Sequence, residues 1–320
     1  MPTLTQARTF EVAARIDECV VDAWEHHNAV TLVELACRVP ANLPFRAREV
    51  NLQLDRLHLA RVQGTPHGVA RDHTLVSNRP LDAIVVYAAL RGEALWKQAG
   101  SSRVVRPGQL VVCDVDRPFN RTFGHGLEEL VVKVQRDAFI ELTGRSTIEA
   151  PIFLDAAGSG ANPYARALVR LVGRAVDHCQ VPADERTILE LVSVLATGGR
   201  VGLPVAHRAA ARAFIDDHLT DPSLSAAEVA RGTGISERHL SRLFAQTGTS
   251  IPQHVLARRL DLAHSWLTGD RAAELRIADI AARCGFTSTA YFSEAFKRRF
   301  GATAGEVRRT ATPTGTDQRA

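Results

Sequence analysis

The spacing of hydrophobic residues changes twice along the chain and divides it into three parts. Over residues 4–37, apolar positions recur every three or four residues, which predicts helix. Over about 45–140, short apolar runs alternate with Gly- and Pro-containing turns, which predicts six to eight short strands. After Pro163 the helical spacing returns and continues to residue 309.

The middle part predicts an antiparallel barrel or sandwich, because many short strands at regular spacing are typical of those folds. Residues 48–62 alternate as a single run with one slip near Asp55 and Arg56. The other strand-like runs are 73–77, 82–90, 93–98, 102–106, 109–115 and 129–135.

Two amphipathic segments, 164–179 and 183–197, predict a helical hairpin joined around residues 180–182. Such a pair either caps the barrel or meets a second copy of the chain in a homodimer. Residues 197–205 contain Gly-Gly and Gly-Leu-Pro and are expected to form a linker.

From residue 206 every segment predicts helix. The expected fold class is therefore a two-domain α+β protein. Residues 1–200 are expected to form the first domain, with a barrel at about 45–140 and the hairpin at 164–197. Residues 206–309 form an all-α domain, and the polar tail 310–320 is expected to be disordered.

Composition narrows the class of protein. The length of 320 residues suits two domains, and 45% hydrophobic with 23% charged residues is typical of globular proteins. No apolar run reaches the length of about 18 residues that a membrane span needs, and the N-terminus has no signal-peptide pattern. The five cysteines never form a C-x-x-C pair, which argues against a disulfide framework and a clustered zinc site. We expect a cytoplasmic protein.

The net charge of +4 is unevenly distributed. Residues 1–205 contain 23 Lys+Arg and 23 Asp+Glu, whereas residues 206–310 contain 15 Lys+Arg and 11 Asp+Glu. The whole excess of positive charge therefore lies in the predicted helical domain. This asymmetry indicates a polyanionic partner for that domain.

Residues 225–244, SAAEVARGTGISERHLSRLF, fit a helix-turn-helix. Ser225 and Glu228 have the spacing of a capping box, Gly234 lies where the turn needs a positive φ, and Ser236 is placed to cap the second helix. That second helix exposes polar side chains of the kind that enter a major groove, where arginine reads guanine O6 and N7.

A second copy follows at 276–296, RIADIAARCGFTSTAYFSEAF, in which Gly285 takes the turn and Ser288 the cap. Aligning Ser236 with Ser288 gives an offset of 52 residues. The patterned helix 255–267 between the copies is suited to hold them apart. Two such units can fill successive major grooves about 34 Å apart, so double-stranded promoter DNA is the predicted partner.

The two motifs also resemble those of a known protein family. Residues 206–309 resemble the DNA-binding domain of the AraC/XylS family of bacterial transcription regulators. The second motif supplies most of the likeness, through Gly285, Phe286, Ser288, Tyr291, Phe292, Phe296, Lys297 and Gly301. The chain departs from the family pattern where Ala304 replaces a usual Pro, where FAQTG (244–248) is one residue short, and where Glu294 replaces a frequent Arg.

The resemblance implies roles for individual residues. The implied base readers are Arg238, Ser241 and Arg242 in the first unit and Thr289, Ala290, Ser293 and Glu294 in the second. Lys297, Arg298 and Arg259 are implied to be backbone or structural cations. Because a carboxylate can accept from cytosine N4, Glu294 is expected to shift base preference.

Residues 40–140 resemble the cupin-like sensor domain of one branch of these regulators, and the likeness is carried by 106–119, RPGQLVVCDVDRPF. The resemblance implies that residues 1–200 are an effector-sensing and dimerisation domain. Cupin enzymes hold a metal with an H-x-H pair, which this sequence lacks, so we expect no metal and no other cofactor. The barrel interior suits a small effector. Its candidate lining residues are Arg71, His73, Tyr87 and Trp96, although the core is the favoured explanation for Tyr87 and Trp96.

The sequence therefore predicts a ligand-responsive transcription activator of a catabolic operon, and not an enzyme. Its expected partners are promoter DNA, RNA polymerase, a small-molecule effector and a second copy of the chain, with no membrane. Three alternatives stay open: a repressor, an effector-independent DNA-binding protein whose barrel only dimerises, and a cupin-type enzyme with a DNA-binding tail. The last needs metal ligands that the sequence does not show.

Overall fold

The computed structural model describes residues 8–14, 18–41, 43–177, 182–198, 202–269 and 275–311. These residues divide into two compact units. The sheet unit consists of the described residues within 8–177 and 184–209, and the helical unit of those within 182–183 and 210–311. The hairpin joint and most of the tail fall on residues 178–181 and 312–320, which lie outside the described residues.

The sheet unit contains two antiparallel sheets with helices before, between and after their strands. Its elements are β1 (Arg8–Ala14), α1 (Glu18–Thr31), β2 (Ala36–Arg38), β3 (Phe45–Gln53), β4 (Leu57–Gly64), β5 (His67–Arg71), α2 (His73–Asn78), β6 (Ala83–Arg91), β7 (Ala94–Gln98), β8 (Ser101–Val105), β9 (Gln109–Asp114), β10 (Phe119–Phe123), β11 (Leu127–Gln135), α3 (Arg136–Thr143), β12 (Ile152–Asp155), α4 (Pro163–Asp177) and α5 (Glu185–Thr197).

One sheet has the strand order β1-β3-β4-β11-β6-β9-β12, and the other has the order β2-β5-β10-β7-β8. Inward-facing residues of both sheets, among them Phe45, Trp96 and Phe119, form one core with Trp24 of α1. Alternate residues point inward because successive side chains of a strand leave opposite faces. This period places Arg121, between Phe119 and Phe123, inside the core as well.

The outer face of the first sheet is covered by helices. Helix α4 packs on β3, β4 and β11, and α5 packs on α3 and α4. Strand β6 is therefore buried on both faces, which explains why it is apolar without alternation. The hairpin thus caps the sheet, which was the first of its two predicted arrangements, and the apolar stripe of α4 is used within the unit. The homodimer stays a prediction.

Three predicted segments were wrong in type or in extent. Residues 73–77 are not a strand but the helix α2, because Asp72 accepts a hydrogen bond from the Leu75 N–H at 2.8 Å and caps it. The predicted helix 4–37 contains β1, paired with β3, and β2 as well as α1. The run 48–62 belongs to two strands, and its slip at 55–56 is the turn between β3 and β4.

The helical unit contains the C-terminal part of α6 (Leu203–Asp217) and all of α7 (Ala226–Thr233), α8 (Glu237–Ala245), α9 (Ile251–Thr268), α10 (Ile277–Arg283), α11 (Thr289–Phe300) and α12 (Ala304–Ala311). Helix α9 packs against α8, α10, α11 and α12 and is the centre of the unit. The core around it includes Phe244, Leu260, Phe292 and Phe296.

Candidate nucleic-acid interface and effector cavity

The first helix-turn-helix consists of α7, the turn at Gly234 and α8. Ser225 Oγ accepts from the Glu228 N–H at 3.3 Å, and the Glu228 carboxylate accepts from the Ser225 N–H at 2.9 Å, so a capping box starts α7. Gly234 ends α7 at a φ of 70°. Ser236 then accepts from the His239 N–H at 3.4 Å and starts α8. Local polar groups thus set both helix starts and the turn.

The second helix-turn-helix consists of α10, the turn at Gly285 and α11. Ser288 caps α11 by accepting from the Tyr291 N–H at 3.3 Å. Gly285 has a φ of +84°, and a Cβ there would lie 2.9 Å from Arg259 Nε and 3.0 Å from the Leu219 carbonyl oxygen. Only glycine satisfies both the backbone conformation and the space.

Helices α8 and α11 each bury one face and expose the other. Leu240, Leu243 and Phe244 of α8 are buried, as are Phe292 and Phe296 of α11. The opposite faces carry every DNA-contacting residue that the resemblance implied for these helices. All nine side chains are exposed: Arg238, Ser241, Arg242, Thr289, Ala290, Ser293, Glu294, Lys297 and Arg298.

The exposed face of α8 is basic and that of α11 is mixed. The Arg242 Nη2 atom lies 2.9 Å from Nδ1 of His239, one turn earlier in α8. On α11, Arg298 donates to Glu294 at 3.3 Å, and the Ser293 hydroxyl donates to the Thr289 carbonyl oxygen at 2.9 Å. The two helices therefore offer different chemistry to a groove: arginine donors on α8, and small hydroxyl and carboxylate groups on α11.

Ion pairs and hydrogen bonds hold both motifs on α9. Arg299 of α11 donates to Asp261 of α9 at 2.6 Å. Arg259, which the resemblance implied as a backbone or structural cation, donates to the carbonyl oxygens of Leu219 at 2.9 Å and of Asp221 at 2.5 Å. These bonds use the Nε and Nη2 donors of Arg259 within the unit and join α9 to the segment between α6 and α7.

The sheet unit contains a partly open cavity of about 30 Å³ between α1 and the inner faces of both sheets. Its wall is largely apolar, with Trp24, Val62, Val69, Phe123, Leu127 and Val131 among its residues. Polar groups reach it from Glu25, His67, Tyr87, Arg121 and Glu129.

A buried ion pair lies in this wall. Arg121 Nη1 donates to Glu129 Oε1 at 3.0 Å, and Arg121 Nη2 donates to Glu129 Oε2. The guanidinium lies 4.0 Å from the centre of the Tyr87 ring, a cation–π distance. Neither Arg121 nor Glu129 was among the residues predicted to line the interior. The sequence feature that indicates an inward-facing Arg121 is the two-residue period of β10, which places it on the same face as Phe119 and Phe123.

The four predicted effector-lining residues are placed differently from one another. Tyr87 lies in the cavity wall. Trp96 is buried beside it and stacks on Phe119, outside the wall. Arg71 is buried and donates to backbone oxygens, including that of Val115 at 2.8 Å. His73 is exposed at the start of α2 and does not line the interior.

Two buried histidines are held neutral. Burial lowers the pKa of His67, whose Nδ1 lies 2.7 Å from the Thr65 carbonyl oxygen, to about 4. Burial also lowers the pKa of His58, which bonds Asn51, to about 4.

Within the described ranges, no group of three or more His, Cys, Asp or Glu side chains is placed to hold a metal ion. Among the same residues, no helix is long and apolar enough to cross a membrane.

Family models match both units. Residues 24–198 match the model described as an AraC-binding-like domain, and residues 229–310 match the model described as a helix-turn-helix domain. The first match alone covers more than half of the chain. The chain therefore belongs to the AraC family of DNA-binding transcription regulators.

Individual proteins are similar to this chain over different lengths. The transcriptional activator NphR of Rhodococcus sp is 22% identical over 303 residues, which is 88% of this chain and 88% of NphR. The transcriptional activator RhrA of Rhizobium meliloti is 33% identical over 97 residues, 30% of this chain and 31% of RhrA. The crystal structure of the AraC-like transcriptional activator CuxR aligns with 86% of this chain and with 100% of the CuxR chain. The sequence identity is 16% and the TM-score is 0.49.

Proposed function

We propose that this protein is a ligand-responsive transcription activator that reads promoter DNA with α8 and α11. The observation that carries the proposal is the repeated motif. Two helix-turn-helix units expose polar helix faces, and α9 packs against the second helix of both. A single rigid helix between two reading helices suits contact with successive major grooves of one duplex.

The exposed residues of α8 and α11 suggest different contacts to DNA. Arg238 and Arg242 suit guanine O6 and N7, with Ser241 between them, whereas Glu294 suits cytosine N4. Thr289, Ala290 and Ser293 are small enough to let the backbone of α11 approach the bases. Lys297 and Arg298, in the last turns of α11, suit contacts to phosphates that fix its register.

Ligand response is assigned to the sheet unit. A mostly apolar cavity with a few polar groups has the kind of lining that small-molecule sites have. Tyr87 is the predicted lining residue that its wall contains. For an effector to regulate transcription, it must bind the active and inactive states with different affinity.

Activation is proposed over repression because NphR and RhrA are both named as activators. RNA polymerase is then the protein partner, and genes for the breakdown of the effector are the proposed targets. A repressor and an effector-independent regulator are the competing outcomes of the test below.

The test is footprinting of the promoter nearest to the gene, combined with transcription in vitro, with and without candidate inducers. We expect the full chain to protect two adjacent major grooves and an inducer to raise transcript yield. Arg242→Ala is expected to weaken the footprint, and Arg145→Ala, which removes an exposed arginine from the sheet unit, to leave it unchanged. Lower transcript yield on binding would establish repression, and a yield that no ligand alters would establish effector independence.

A further inference from the structure

The cavity of the sheet unit contains hydrogen-bond donors that the protein itself does not satisfy. As far as the described residues show, the Tyr87 hydroxyl and the Arg121 Nε–H are buried and have no hydrogen-bond partner. Tyr87 is 3% and Arg121 4% exposed, and both belong to the cavity wall. A buried donor without an acceptor is unfavourable, so these two groups indicate an acceptor atom supplied from elsewhere.

The charge of the wall limits what that acceptor can be. Glu129 already neutralises Arg121 through two hydrogen bonds. His67 is neutral because burial lowers its pKa to about 4. The remaining carboxylate of the wall, that of Glu25, accepts from the Cys37 N–H. In the described part of the wall, therefore, no cation is left uncompensated to meet an anionic ligand.

A cationic ligand is also disfavoured at the same place. The guanidinium of Arg121 already lies over the Tyr87 ring at 4.0 Å and within 4.8 Å of the Phe123 ring centre. A second cation would lose its hydration there without gaining a counter-ion, because the carboxylates of Glu129 and Glu25 already accept hydrogen bonds from the protein. The ring faces that Arg121 covers are also unavailable to an ammonium group.

From these observations we propose that the effector is an uncharged molecule with an apolar body and one acceptor atom, such as an amide or ketone oxygen, bound by the Tyr87 hydroxyl and the Arg121 Nε–H. This inference rests on the proposed function, because it names the ligand class of the same regulator. The apolar body would pack against Val69, Leu127 and Val131 in the wall.

Size adds a second requirement. The cavity of about 30 Å³ has room for two to three water molecules, since a single water needs about 10–15 Å³. A molecule of three or four heavy atoms is close to that size, whereas a benzene ring requires the wall to move outward. The test therefore has to compare small and large bodies as well as charges.

The experiment uses the full chain at pH 7 with two matched series of probes. Benzamide, benzoate and benzylamine share a ring and differ in charge, and acetamide and acetate form the smaller pair. Titration calorimetry and thermal shift are measured for each probe. We expect at least one amide to bind at least ~10-fold more tightly than its charged analogues, because the desolvated charge has no free partner.

Two variants connect the binding to the named atoms. Tyr87→Phe removes only the hydroxyl and is expected to weaken amide binding by about 3- to 10-fold, the effect of one hydrogen bond. Tyr164→Phe, on α4 and outside the cavity wall, is the matched control and is expected to leave affinity unchanged. Glu129→Gln leaves the charge of Arg121 uncompensated and is expected to shift preference from benzamide to benzoate.

The proposal is overturned if neither amide binds, if benzoate or benzylamine binds the unmodified protein as tightly as benzamide, or if Tyr87→Phe and Tyr164→Phe behave alike. Footprinting of the ligand-free protein on its promoter accompanies each titration. An intact footprint with no amide binding overturns the ligand class alone, whereas loss of the footprint overturns the proposed function.

Discussion

Gly285 and Arg259 lie so close that the glycine has no room for a side chain. A Cβ on Gly285 would be 2.9 Å from Nε of Arg259, whose guanidinium donates to the Leu219 carbonyl oxygen at 2.9 Å. The turn before α11 thus packs directly on an arginine of α9, which is itself bonded to the segment between α6 and α7. A larger residue at position 285 would have to displace this guanidinium.

Gly285→Ala is expected to destabilise the protein by about 1–3 kcal/mol from backbone strain, with a further loss from the displaced Arg259. Gly301→Ala is the matched control, since Gly301 also has a positive φ of 72° but a Cβ added there would have no atom within 4 Å. Chemical denaturation measures both, and equal destabilisation of the two variants would contradict the role of Arg259.

Arg242→Ala is expected to reduce promoter affinity by about 1–3 kcal/mol and to relax one base position, because a bidentate arginine–guanine contact is lost. Competition binding against a panel of single-base promoter variants measures both effects. A uniform loss across the panel, with no relaxed position, would instead assign Arg242 to a phosphate.

Arg298→Ala is expected to weaken all promoter variants alike and to reduce the slope of log affinity against log salt by about one, as for a lost phosphate contact. It also frees Glu294 from its 3.3 Å partner. Glu294→Gln, by contrast, is expected to change preference at one base. Binding measured at several salt concentrations separates the two roles, and a salt slope unaltered by Arg298→Ala would exclude the phosphate contact.

Arg121→Leu is expected to lower the free energy of unfolding by about 3–5 kcal/mol, because it leaves the Glu129 carboxylate buried without its partner. Replacing both residues, Arg121→Leu with Glu129→Leu, is expected to recover most of that loss. Urea denaturation of the full chain provides the comparison. If the single variant were as stable as the double one, the pair would not be buried as a unit.

The buried histidines predict a fall in stability at mildly acidic pH. Their folded pKa of about 4 lies below the unfolded value of 6.5, so the unfolded chain binds protons first as the pH falls. Stability contributed by neutral His58 and His67 is therefore present above pH 6.5 and is lost as the pH falls toward 4.

Between pH 7 and pH 5 the expected loss is up to about 2 kcal/mol for each histidine, because one pKa unit corresponds to about 1.4 kcal/mol. Urea denaturation at both pH values measures it. His58→Gln is expected to reduce the difference between the two, and a midpoint that does not move between pH 7 and pH 5 would contradict the prediction.

The features that arise from neighbouring residues could be predicted from the sequence alone. Capping by Ser225, Ser236 and Ser288 and the positive φ at Gly234 depend on groups within four positions, so the two helix-turn-helix units were predictable in detail. The exposed faces of α8 and α11 followed in the same way, from helical periodicity.

The features that depend on contacts between residues distant in the chain are visible only in the tertiary structure. Residues 8–14 became a strand because β3 pairs with them, although their apolar spacing suggested helix. Arg121 and Glu129 meet across two strands, and Tyr87 reaches them from a third, so no local pattern could place them around one cavity. Local hydrogen bonds define the two helix-turn-helix motifs, whereas the cavity of the sheet unit forms only when two sheets and α1 come together.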